Sequence, residues 1–79
     1  MLCAAMPRYF FNVRDGHNVP DIVGTEFASP EEARVQAVVA AGEAIRDSGA
    51  AFWKRGEWEM HVSEEGGAPV CSLRLSASW

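Results

Sequence analysis

Two hydrophobic periods run along this chain: a repeat of two near both ends and a repeat of three to four between them. Arg8-Tyr9-Phe10-Phe11-Asn12-Val13-Arg14 is rich in aromatic and β-favouring side chains and runs straight into Asp15-Gly16, which predicts a strand ending in a turn. Tyr9, Phe11 and Val13 then share one face, and Phe10, Asn12 and Arg14 share the other. With Phe10 and Phe11 both faces are apolar, which places the strand inside a sheet. Val19 to Val23 is expected to return as a shorter strand. Pro20 has no amide hydrogen to give to a ladder, so that second strand belongs at a sheet edge.

Ser29-Pro30-Glu31-Glu32 carries the signature of a helix start. Ser29 can cap the amide of the third helical residue, and Glu32 can reach back to the amide of Ser29. Pro30 suits the first helical position, and the two glutamates favour the positive end of the helix dipole. The helix is expected to run to about Ser48, with Gly49 as its left-handed cap. Ala33, Ala37, Ala40, Ala41 and Ala44 fall on one side with Val38 and Ile45 beside them, small residues that let a helix axis approach a sheet closely. Val35 and Val39 point elsewhere. Gly42 inside the helix costs about 0.5–1 kcal/mol relative to alanine, and a close neighbour on its side would account for it.

The last third reads as a hairpin. Taking Gly66-Gly67 as a two-residue turn pairs Val62 with Cys71, Met60 with Leu73 and Trp58 with Leu75, all apolar and all on one face. The other face then pairs Ser63 with Val70, His61 with Ser72, and Glu59 with Arg74. A slip of one residue would set apolar side chains against polar ones. The predicted architecture is therefore α+β in the order β-β-α-β-β, with one helix packed on one face of a small antiparallel sheet. Residues 1–5 are expected to be a disordered extension and residues 6–79 a single domain.

Composition changes this picture in two ways. The apolar share of 48% and charged share of 23% suit a folded chain, but 79 residues give a thin core. Domains below ~70–80 residues often lean on a disulfide, a metal or a second subunit. Cys3 and Cys71 are the only cysteines, and Met1-Leu2-Cys3-Ala4-Ala5 lacks the basic and apolar stretches of a secretory leader, so a disulfide is not expected. Cys71, in its strand pattern, reads as a small buried hydrophobe. Met6 offers a second start, and the cytoplasm is the expected compartment. A net charge of −4, with seven Lys and Arg scattered along the chain, argues against duplex binding. The apolar run Ala37 to Ala41 is far short of the ~20 residues a membrane span needs. Neither nucleic acid nor a membrane is an expected partner.

Candidate chemistry is sparse. His61 and Cys71 lie across the hairpin from one another but on opposite faces, so they cannot hold one metal ion, and a zinc site would need three or four ligands. His17, in the turn after Asp15, reads as a solvated histidine rather than a general base. Glu31-Glu32 and Glu64-Glu65 are explained by capping and by turn polarity. Lys54-Arg55 beside Phe52-Trp53 has the ingredients of a single-strand surface, but two cations are few, and Phe52 or Trp53 is expected to close one end of the core. No cofactor and no catalytic residue is expected.

Met6-Pro7-Arg8-Tyr9-Phe10-Phe11-Asn12-Val13-Arg14-Asp15-Gly16, followed by Pro20-Asp21, Gly24 and Ser29 to Ala37, resembles a family of small bacterial proteins of unknown function that open with Pro-Arg-Tyr-(Phe/Tyr)-Phe-His-(Val/Ile)-Arg-Asp-Gly. The final hairpin is similar as well. The resemblance implies a shared fold and carries no activity. Asn12 stands where many members have histidine, which speaks against chemistry at that position. The strand–strand–helix order is also similar, in architecture alone, to HicB-like antitoxin domains.

Val35, Val39, Trp53 and Trp79 have no assigned partner in a layout of one helix on one sheet. They point to a non-enzymatic module that self-associates, most simply as a homodimer. The competing expectation is a HicB-like antitoxin or nucleic-acid-linked regulatory module, with a protein partner on the outer sheet face formed by Phe10, Asn12, Arg14, Glu59, His61, Ser72 and Arg74.

Overall fold

The computed structural model describes residues 7–78; the expected extension over residues 1–5, Cys3 and Trp79 lie outside the described residues. β1 (Arg8–Arg14) and β4 (Glu57–Glu64) form the middle of an antiparallel sheet, and β5 (Pro69–Ser76) closes one side. Along the other edge of β1 run two strands of two residues each, β2 (Asn18–Val19) and β3 (Thr25–Glu26). Between β3 and β4 come the helices α1 (Pro30–Asp47) and α2 (Gly49–Arg55). The fold is α+β, with five antiparallel strands and two helices among the described residues.

The period-two pattern decides which side of the sheet α1 covers. Tyr9, Phe11 and Val13 of β1 stand opposite Glu64, Val62 and Met60 of β4. Across the hairpin, Val62, Met60 and Trp58 face Cys71, Leu73 and Leu75. Tyr9, Trp58, Met60 and Val62 are buried there together with Ala33 and Ala37 of α1, so alanine at the contact does let the helix axis close onto the sheet. Phe27, ahead of the helix, packs its ring against Tyr9 and Phe11 with centroids 6.1 and 6.0 Å away.

Several expectations need correction. The helix stops one residue early, at Asp47, and Gly49 is not its left-handed cap but the first residue of α2. The left-handed position belongs to Gly56, with φ of 78°, which ends α2 and donates its amide to Phe52. Ser29 does cap α1, its Oγ accepting from the Glu32 amide at 3.2 Å, but the Glu32 carboxylate accepts from the amide of Ala28, at 3.0 Å, rather than from that of Ser29. Gly42 has no close neighbour among the described residues: a Cβ placed there would meet none of them within 4 Å. Val38, expected beside the alanines, is exposed.

The expected strand from Val19 to Val23 shrinks to Asn18–Val19, because the chain leaves β1 after Val19 and comes back to it only at β3. Ile22 and Val23 lie exposed in the intervening loop. The hairpin register holds from Glu57 to Val62 and fails at the tip, where Ser63 faces Pro69 and not Val70. The Glu64 amide donates to Ala68, so the turn has three residues, and a bulge between Val62 and Ser63 absorbs the extra one. Gly66 and Gly67 both take positive φ, 95° and 96°, which suits glycine.

Candidate interaction surfaces

Three surfaces bear on function. The first is the outer sheet face. Because β1, β4 and β5 are in register, its side chains form rows: Arg14, Glu59 and Arg74 in one, and Asn12, His61 and Ser72 in the next. Glu59 sits in the middle with its side chain only 15% exposed. One carboxylate oxygen lies 2.8 Å from His61 Nε2 and the other accepts from Arg74 at 3.2 Å. The bond from His61, then the Arg74 charge and its bond, outweigh partial burial and hold the Glu59 carboxyl below the usual range. His61 Nδ1 lies 3.1 Å from Ser72 Oγ.

Ser72, His61 and Glu59 thus stand in the contact order of a hydroxyl, an imidazole and a carboxylate, the constellation of acyl transfer. Such a reaction also needs donors aimed at the developing oxyanion and walls that keep water out. Ser72 is exposed on the open strand surface, and Glu59 is shared with Arg74. The bonds tie β5 to β4. Sequence alternation put these residues on one face, and the hairpin register set His61 opposite Ser72 and Glu59 opposite Arg74. The place of Asn12 and Arg14 in the same rows depends on the β1–β4 pairing, which no local signal encodes.

Phe10 was expected on this exposed face, and here the structure differs. The loop from Pro20 to Gly24 folds over it, so close that a Cβ on Gly24 would come within 2.8 Å of the ring and 2.7 Å of Arg8. Asp21 organises the loop. Its carboxylate accepts from the amides of Gly24 (2.9 Å), Val23 (3.1 Å) and Phe11 (3.2 Å), and its own amide donates to Asn12 Oδ1 (3.0 Å). Burial raises the Asp21 pKa, yet these three amides more than offset it and leave the carboxyl below its ordinary value. Arg8 reaches the same loop, donating to the carbonyl of Val23 at 3.0 Å and pairing with Glu26 at 3.1 Å. Asn12 also donates to the carbonyl of His61. Its role here is to join loop and sheet.

The second surface is a polar cleft of about 650 Å³ where Arg14, His17, Asn18 and Arg55 meet Glu57 and Glu59. Arg55, at the end of α2, lies over Gly16, and a Cβ on that glycine would overlap its guanidinium. Arg14 donates to Asn18 Oδ1 at 3.0 Å. The cations and the acids offset one another, so the cleft presents no single sign of charge. Asp15, beside it in sequence, has one carboxylate oxygen shielded from solvent with no hydrogen-bond partner among the described residues.

The third surface belongs to α1. Its outward side exposes Val35 by 66%, Val38 by 60% and Val39 by 47%. Where that side turns down to the sheet, Val38, Ala41, Gly42 and Ile45 border a largely apolar groove of about 320 Å³ with Trp58, Leu73 and Leu75. The groove runs beside β5, which among the described strands pairs with β4 alone. Trp53 is about half exposed and stacks edgewise on Phe52, and it is Phe52 that packs against the core. Among the described residues no group of three or more His, Cys, Asp or Glu is placed to hold a metal ion, and no helix is long and apolar enough to cross a membrane.

Comparison with known proteins shows that a family model described as a domain of unknown function, DUF6894, covers residues 8–76. No curated protein and no solved structure matches.

Proposed function

Since the chain belongs to the DUF6894 family, whose description assigns no activity, we propose from its surfaces that it is a non-enzymatic module that associates with itself. The observation that carries this reading is the row of valines on the outward side of α1, Val35, Val38 and Val39, beside a buried core of six side chains among the described residues. Burying a valine fully is worth about 1.5–3 kcal/mol. Covering three on each of two helices offers several kcal/mol against an association cost of roughly 4 kcal/mol or more. The expected product is a weak dimer that depends on concentration. The bonding of Glu59, His61 and Ser72 is read as a latch between strands and not as a catalytic set.

Sedimentation equilibrium from micromolar to millimolar concentration tests the proposal. The mass is expected to climb from the 8.6 kDa of one chain toward twice that value. A mass that stays at one chain at millimolar concentration ends the reading.

A second reading has one observation in its favour, the edge of β5 that no described strand covers, beside the apolar groove. A strand from a different protein laid along that edge would extend the sheet, an antitoxin-like mode of recognition. It predicts purification in fixed ratio with one protein, lost on Leu75→Lys.

A further inference from the structure

Resting on the self-association reading, we infer that α1 pairs antiparallel with α1 of a second copy, about a two-fold axis passing between Val38 and Val39. The helix turns about 100° per residue, so the side opposite Ala33 and Ala37 is a stripe of Glu31, Val35, Val38, Val39, Gly42 and Arg46. Its middle is apolar and exposed. Its ends carry opposite charges, and they are placed symmetrically. Glu31 and Arg46 each lie about 11 Å along the axis from the point midway between Val38 and Val39.

A two-fold rotation about that point sets Glu31 against Arg46 of the partner subunit, and Arg46 against the partner's Glu31. It also sets Val38 and Val39 each beside its own copy at the axis, and Val35 against the partner's Gly42. Gly42 now has a use: the open space where its Cβ would stand is a hollow that receives a valine. A parallel pair would instead bring Glu31 to Glu31 and Arg46 to Arg46. Charge therefore selects the antiparallel arrangement, and the same patch serves both copies, as a two-fold interface requires. Within one chain, Glu31 contacts Arg34 at 3.7 Å and Arg46 contacts Asp47 at 3.5 Å. Both are exposed pairs of the kind that contribute little and are readily exchanged. The assembly has sheets outside and helices inside, and it leaves the outer sheet faces free.

An acid near the start of α1 and a base near its end also suit the helix dipole of a single chain. Charge reversal separates the two roles. Association is measured by sedimentation for the wild type, Glu31→Arg, Arg46→Glu and the double reversal, with helix content and thermal midpoint followed at low concentration as a check on folding. Each single reversal turns two attractive pairs into two repulsive ones and is expected to weaken association about three- to tenfold. The double reversal is expected to restore the wild-type constant within about twofold. If only the dipole matters, the double variant is the least stable of the four and association does not recover. A wild type that dimerises but ignores the reversals, or a double variant that fails to recover, overturns the antiparallel helix pair while self-association stands through another surface. A wild type that stays monomeric at millimolar concentration overturns both.

Discussion

Asp21 and Gly24 show how much of the recognisable sequence serves the backbone. Pro20-Asp21 and Gly24 lie in a loop that crosses Phe10, and the Asp21 carboxylate collects three of the amides there. Gly24 takes φ of 74° with Arg8 and Phe10 against it, so no side chain fits. Gly24→Ala is expected to cost roughly 1–3 kcal/mol, measurable by urea unfolding, from left-handed strain and the displacement of both neighbours. Glu59 makes a different prediction. Its folded pKa is depressed, so it contributes stability above the ordinary carboxylate pKa and loses that contribution as pH falls through the lowered value. The groups facing it are His61 and Arg74, with Arg14 opposite on β1. Glu59→Gln keeps the shape and removes the charge. The wild type should therefore exceed the variant in stability at neutral pH, and the gap should close once the pH is below the native carboxyl's titration. A gap that persists in strong acid would show that shape, not charge, is what matters at this position.

At the scale of elements, the glycines flanking α2 carry opposite expectations. Gly49 is helical and open, so Gly49→Ala should stabilise the fold by about 0.4–1 kcal/mol. Gly56 is left-handed, so Gly56→Ala should destabilise it by about 1–2 kcal/mol. Thermal midpoints moving in opposite directions check both, and the contrast marks what the sequence conceals. A glycine after eighteen helical residues looks like a stop, and only the chain's path back to β4 makes Gly49 a corner between two helices. The start of α1 was legible because Ser29, Pro30 and Glu32 act within one turn. The pairing of β4 with β5 was legible up to Val62 because two faces agree on it. At the tip the two glycines fit a turn of two residues as well as one of three, and the bulge has no signature in composition. The rows on the outer face were legible within the hairpin and illegible across to β1, whose partner is set by contacts distant in sequence.

For the whole molecule, the decisive quantity is the apolar surface left outside the six side chains that are buried among the described residues. Sheet and helix share one seam, and the far side of α1 faces outward with valines at three positions. Such a helix in a lone monomer would gain from polar replacements there. In a dimer the valines raise apparent stability in proportion to the logarithm of concentration, because association removes folded monomer from the unfolding equilibrium. The thermal midpoint of the wild type is therefore expected to rise between micromolar and millimolar protein. Val39→Lys places a charge beside the two-fold axis, next to its own copy in the partner, and should abolish that rise. Its midpoint at the lowest concentration should match the wild type, since Val39 is about half exposed and lies outside the buried core. Calorimetry at four or five concentrations decides the matter. Parallel curves for the two proteins would place the association elsewhere, and a midpoint lowered at every concentration would make Val39 part of the fold of the single chain.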